Sequence, residues 1–165
     1  MLRISKKGDY AVFLMGYLAR HGSFGGPHVV SAQEIADRSH LHKSVVANLL
    51  KNLTKAGLLL SVRGMHGGYQ LALPAAKISL GRILEVVEGP FALVDCASDA
   101  PDGDSMCSLL SFCPSKRPMR VLHGRIATLM DELKLDDLVG SDSTFAPQPP
   151  VASAAATTSS SSKPF

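Results

Sequence analysis

The chain contains no apolar run near the roughly 20 residues that a membrane-spanning helix requires, and no charged-then-apolar leader opens it. A cytoplasmic protein without a membrane partner is the expectation. Catalytic signatures are missing too. There is no Ser/His/Asp set and no paired-carboxylate pattern, and the stretch Gly64 to Gly68 lacks the Lys-Ser/Thr ending of a phosphate loop. An enzyme acting on a small-molecule substrate is therefore not expected. Cysteine is scarce and odd in number: three residues, all between positions 96 and 113. Secreted disulfide frameworks use even, dispersed sets, so a clustered trio points to a metal, a cluster or redox chemistry in a reducing compartment.

What the chain does have is a lopsided charge. The overall net charge is +3, but residues 1–80 carry ten Lys and Arg against three acids, and residues 81–165 carry seven against eleven. The basic excess lies in the first half, where a polyanion would bind.

The first half also has the right punctuation. Ser5 caps a helix in which Tyr10, Phe13, Leu14, Tyr17 and Leu18 recur at helical spacing. A capping box, Ser31-Ala-Gln-Glu34, opens a short second helix. After a break at Ser39-His40, a third helix starts near Lys43, with Val46, Leu49, Leu50 and Leu53 as its buried stripe and Gly57 as its stop. Leu58 to Val62 and Tyr69 to Leu73 flank a glycine-rich tip and read as a β-hairpin. Two short helices followed directly by a hairpin make a helix-turn-helix with a wing.

Ser79 caps a fourth helix that Gly89-Pro90 closes. Residues 91 to about 113 show no sustained period, and a stretch of that length is uncommon in a compact domain unless something organises it. A long fifth helix runs from about Pro118 to Leu133, its stripe formed by Leu122, Ile126, Leu129, Met130 and Leu133. That stripe either covers its own domain or packs on a second copy, and dimerisation is the favoured expectation. From Gly140 onward Ser, Thr, Ala and Pro dominate, a composition that cannot offset its own ordering entropy.

The expected architecture is mainly α with a small β-hairpin wing. Residues 1–90 form a winged helix-turn-helix, 91–117 a cysteine loop, 118–139 a dimerisation helix with a short terminal helix, and 140–165 a disordered tail. On double-stranded DNA the third helix enters the major groove. Lys43 and Lys51 suit phosphates, Ser44 and Asn48 can hydrogen-bond bases, and Val45 can touch a thymine methyl. Arg63, at the base of the wing, can reach a narrow minor groove, and His66 lies in the same wing.

Several dispersed motifs make the chain resemble the IscR/NsrR family of iron–sulfur winged-helix regulators, the Rrf-two family. They are the opening Met-Leu-Arg-Ile-Ser-Lys-Lys-Gly-Asp-Tyr-Ala, the wing Ser61-Val-Arg-Gly-Met-His-Gly-Gly-Tyr69, the run Ile78 to Pro90, and Leu135-Asp-Asp-Leu-Val139. The resemblance implies a homodimer on a partly palindromic operator, acting as a repressor or activator. It also implies an iron–sulfur cluster, 2Fe–2S or 4Fe–4S, held by Cys96, Cys107 and Cys113. Asp9 matches a place from which some members reach the partner subunit's cluster, and His123 is the other candidate fourth ligand. Thiolates suit both iron–sulfur centres and zinc. Ten residues separate Cys96 from Cys107, longer than the family's usual interval, and five separate Cys107 from Cys113. Two alternatives stand beside the cluster: a regulator whose thiols react directly, through a disulfide or sulfenic acid, and a zinc-stabilised interaction module.

Overall fold

A computed structural model describes residues 3–22, 24–25, 28–94 and 111–140. Cys96, Cys107, the acidic insert between them and the serine-rich segment from 141 lie outside the described residues.

The elements follow in the expected order. They are α1 (Lys6–His21), α2 (Ala32–Ser39), α3 (Lys43–Lys55), β1 (Leu59–Val62), β2 (Gly68–Leu71), α4 (Leu80–Glu88), α5 (Lys116–Glu132) and α6 (Leu135–Val139), with a single 3-10 turn at Ala75–Lys77. The helix starts obey capping chemistry. Ser5, Ser31 and Ser79 each accept a hydrogen bond from the backbone N–H three residues on, at 3.2, 3.0 and 3.1 Å. The second half of the box on α2 is used differently, because the Glu34 carboxylate takes the Tyr17 hydroxyl of α1 at 3.2 Å.

One core joins all the helices except α5. Leu14, Met15 and Leu18 of α1, Ile35 of α2, the stripe Val46, Leu49, Leu50 and Leu53 of α3, Leu59, Ile83 and Leu135 are all essentially excluded from water. Truncating any of these leucines to alanine costs about 2–5 kcal/mol, since the neighbours cannot collapse fully into the void. Leu135 belongs to this core although the sequence groups it with the C-terminal helix. The chain returns to the winged half at that point: Leu135 N–H donates to Ile78 O and Leu80 N–H to Leu133 O, both at 2.8 Å. The Arg20 guanidinium then holds Val139 O and Gly140 O at 2.7 and 3.0 Å.

The hairpin is antiparallel, pairing Leu59 with Leu71 and Val62 with Gly68. It has a third partner that the periodicity does not announce. Val30, just before α2, exchanges both backbone hydrogen bonds with Tyr69 at 3.0 and 2.8 Å. A side chain on neighbouring Gly68 would place its Cβ 2.6 Å from Val30 O, so this close approach needs glycine.

Candidate nucleic-acid interface and thiol segment

The turn between α2 and α3 is set by His40, whose φ of 54° is left-handed, and by Ser39, whose hydroxyl accepts the Leu41 N–H at 3.2 Å. Because Val46, Leu49, Leu50 and Leu53 are committed to the core, the opposite face of α3 is fixed. Lys43, Ser44, Val45, Ala47, Asn48 and Lys51 are exposed on it. His42 precedes the helix, and its Nδ1 lies 3.0 Å from Ser44 Oγ. Arg63, Gly64, Met65 and His66 are exposed at the hairpin tip, Met65 almost completely. Among the described residues no carboxylate pairs with Lys43, Lys51, Lys55 or Arg63, so these charges face solvent and are available to a polyanion. All seven side chains expected to meet DNA are therefore presented outward, on α3 and on the wing.

Cys113 is half-buried just before α5, its carbonyl accepting the Lys116 N–H at 3.3 Å. With Pro114, Lys116, Arg117, Arg120 and Val121 it lines an open pocket of about 510 Å³. Three cationic side chains share the lining of this pocket with Cys113, a lining that suits an anionic ligand. Asp9 is exposed on the first turn of α1. Among the described residues no group of three or more His, Cys, Asp or Glu gathers closely enough to hold a metal ion. The described part of the donor set, Cys113 in a pocket lined by cations, fits an anionic cluster and direct thiol chemistry alike.

His123 lies on α5, where its ring and one of its nitrogens meet the chain that follows α4. Its ring stacks on Phe91 and its Nδ1 takes the Leu93 N–H at 3.4 Å. Sequence reasoning missed this role, since a contact between residues 30 positions apart leaves no local pattern.

Along α5 no residue is buried, and Val121, Leu122 and Leu129 are about half exposed on this single chain. No described helix is long and apolar enough to cross a membrane.

A helix pair followed by a hairpin, with an outward cationic face shared by the second helix and the hairpin tip, defines a winged helix-turn-helix DNA-binding transcription regulator rather than an enzyme. Residues 4–141 match the Rrf2 family model, described as "Iron-dependent Transcriptional regulator", and the chain belongs to that family. It is similar to the solved structure of CymR, the global cysteine regulator of B. subtilis, at 32% identity and a TM-score of 0.63, covering 84% of this chain and 97% of that one. The oxidised form of Staphylococcus aureus CymR is similar at 29% identity and a TM-score of 0.61, with coverages of 84% and 96%. T. potens IscR matches at 32% identity and a TM-score of 0.64, covering 90% of this chain and 94% of that one.

Proposed function

We propose that the chain acts as a homodimer on a two-fold operator and that chemistry at its thiols controls its affinity for that operator. The observation that carries this reading is α5. Its apolar side chains are left outside the core of their own domain, and its N-terminal end holds Cys113 among cations. A second copy of α5 would cover the stripe and fix the spacing of two reading heads, which two-fold sites require to be about 34 Å apart. Lys43, Ser44, Val45, Asn48 and Lys51 then meet the major groove, while Arg63 and His66 meet the minor groove. The four-part division at residues 90, 117 and 139 belongs to the same reading, and so does a place of action in the cytoplasm with the DNA.

Two chemistries can serve at the thiols. Direct thiol chemistry without a cluster is favoured by the likeness to CymR structures, one of them described as an oxidised form. An iron–sulfur cluster on Cys96, Cys107 and Cys113, with Asp9 as fourth ligand, is favoured by the family description as iron-dependent and by a three-thiolate donor set. When bound, such a cluster would supply a centre whose loss or change of charge is the signal. This chain would supply the sulfurs and the cationic surround.

Anaerobic purification followed by an ultraviolet-visible spectrum separates them. Colourless, metal-free protein whose operator affinity changes with diamide supports direct thiol chemistry. A brown protein whose visible absorbance vanishes in Cys107→Ala supports the cluster. Colourless protein with stoichiometric zinc and no selective DNA binding overturns both.

A further inference from the structure

Among the described residues, the start of the chain that leads from the winged half toward the cysteines meets α5 at His123. Phe91 stacks on His123 with ring centroids 5.0 Å apart and planes 10° apart, and the Leu93 N–H donates to His123 Nδ1 at 3.4 Å. Leu93 stands three positions before Cys96 in the sequence, and His123 ten positions after Cys113.

Few other fastenings hold α5. Among the described residues its hydrogen bonds to the winged half lie at its C-terminal end, where Ser79 Oγ donates to Asp131 at 3.2 Å and Leu80 N–H to Leu133 O at 2.8 Å. His123 is the hydrogen-bonded attachment in the middle of the helix. Upstream, residues 91–94 follow directly on the end of α4. That end is gripped by α1, with Lys7 Nζ donating to Val87 O at 2.6 Å and the Ser5 hydroxyl to Glu88 at 2.8 Å. A continuous run of contacts thus joins the first turn of α1, the end of α4, residues 91–94 and the middle of α5.

We propose that His123 is a positioning residue that clamps residues 91–94 onto α5, so that a change at the thiols is transmitted to the helix that sets the spacing of the two reading heads. The ring provides the stacking surface and Nδ1 provides the register. This inference rests on the thiol-control reading above, but the clamp itself can be tested separately.

Two substitutions divide the two contacts. His123→Phe keeps a stacking ring and removes the acceptor. His123→Asn removes the ring and returns an acceptor near the place of Nδ1. Two readouts are needed on the full chain: hydrogen exchange of the backbone around Leu93, and the ratio of affinities before and after diamide for a duplex selected from a random library. With His123→Phe, exchange at Leu93 should run roughly tenfold faster while the melting temperature stays put. The affinity ratio should fall toward one, and His123→Asn should restore part of it. Unchanged exchange would overturn the clamp. Faster exchange with an unchanged ratio would overturn its role in transmission. A wild-type ratio of one would instead remove the thiol-control reading, while the exchange result would still decide whether His123 holds the segment.

Discussion

The Glu88 carboxylate accepts two hydrogen bonds from Ser5, one from the hydroxyl at 2.8 Å and one from the backbone N–H at 3.1 Å. This pair locks the first turn of α1, which carries Asp9, against the last turn of α4. Gly8 lies directly under the carboxylate, and a Cβ there would collide with Glu88, Ile4 and Leu84. These atoms are the far ends of side chains and can move, so Gly8→Ala should act chiefly by pushing the Glu88 carboxylate off Ser5, at a cost of about 1 kcal/mol. Urea denaturation checks it, and in a Glu88→Ala background the same substitution should cost less, because the first colliding group is already gone.

The high-pH behaviour of the fold should depend on Tyr17. Its hydroxyl is pushed above the ordinary 10.0, first by burial and then by the Glu34 carboxylate to which it donates. The folded state holds this proton more tightly than the unfolded chain does. Its contribution is complete below the unfolded value and disappears as pH rises through the raised folded value. Tyr17→Phe should cost about 1 kcal/mol at neutral pH. It should also remove the additional loss of stability above pH 10.0. Equal pH profiles for the two proteins between neutrality and strong alkali would refute this.

DNA contacts should separate into two kinds. Arg63→Ala should weaken operator binding by about 1–3 kcal/mol and flatten the preference for a narrow minor groove. Lys43→Ala should weaken all sequences alike and reduce the slope of log affinity against log salt by about 1. Fluorescence anisotropy at several salt concentrations distinguishes these outcomes, and an unchanged affinity for Arg63→Ala removes it from the interface.

Arginine at Leu122 and Leu129 together tests the dimer. Both side chains are already about half exposed on one chain, so the domain itself should stay folded. Sedimentation should show a single subunit, with operator affinity lost at concentrations where the wild type binds. A dimer that persists in this double variant would assign the stripe to something else.

The reading half of the molecule was legible because its signals are local. Serine caps, the stripe on α3 and the glycine-rich tip each act within one element, and the outward face of α3 follows from its inward one. α5 begins two residues earlier than Pro118 suggests, at Lys116, an end effect of the ordinary size. What the sequence did not reveal is long-range. The pairing of Val30 with Tyr69, the burial of Leu135, the diversion of Glu34 to Tyr17 and the contact of His123 with Leu93 all join positions far apart in the chain. The thiol site was legible in composition only, since a cluster of sulfurs indicates chemistry without indicating which kind.

The most direct test is operator affinity measured on wild type and on Cys113→Ser, each fully reduced under nitrogen and again after exposure to oxidant. The wild type should change by about 5- to 150-fold between the two states, the usual range for coupled sites. Cys113→Ser should keep the fold and hold one affinity in both. An equal response in the two proteins, or none in the wild type, would contradict the account.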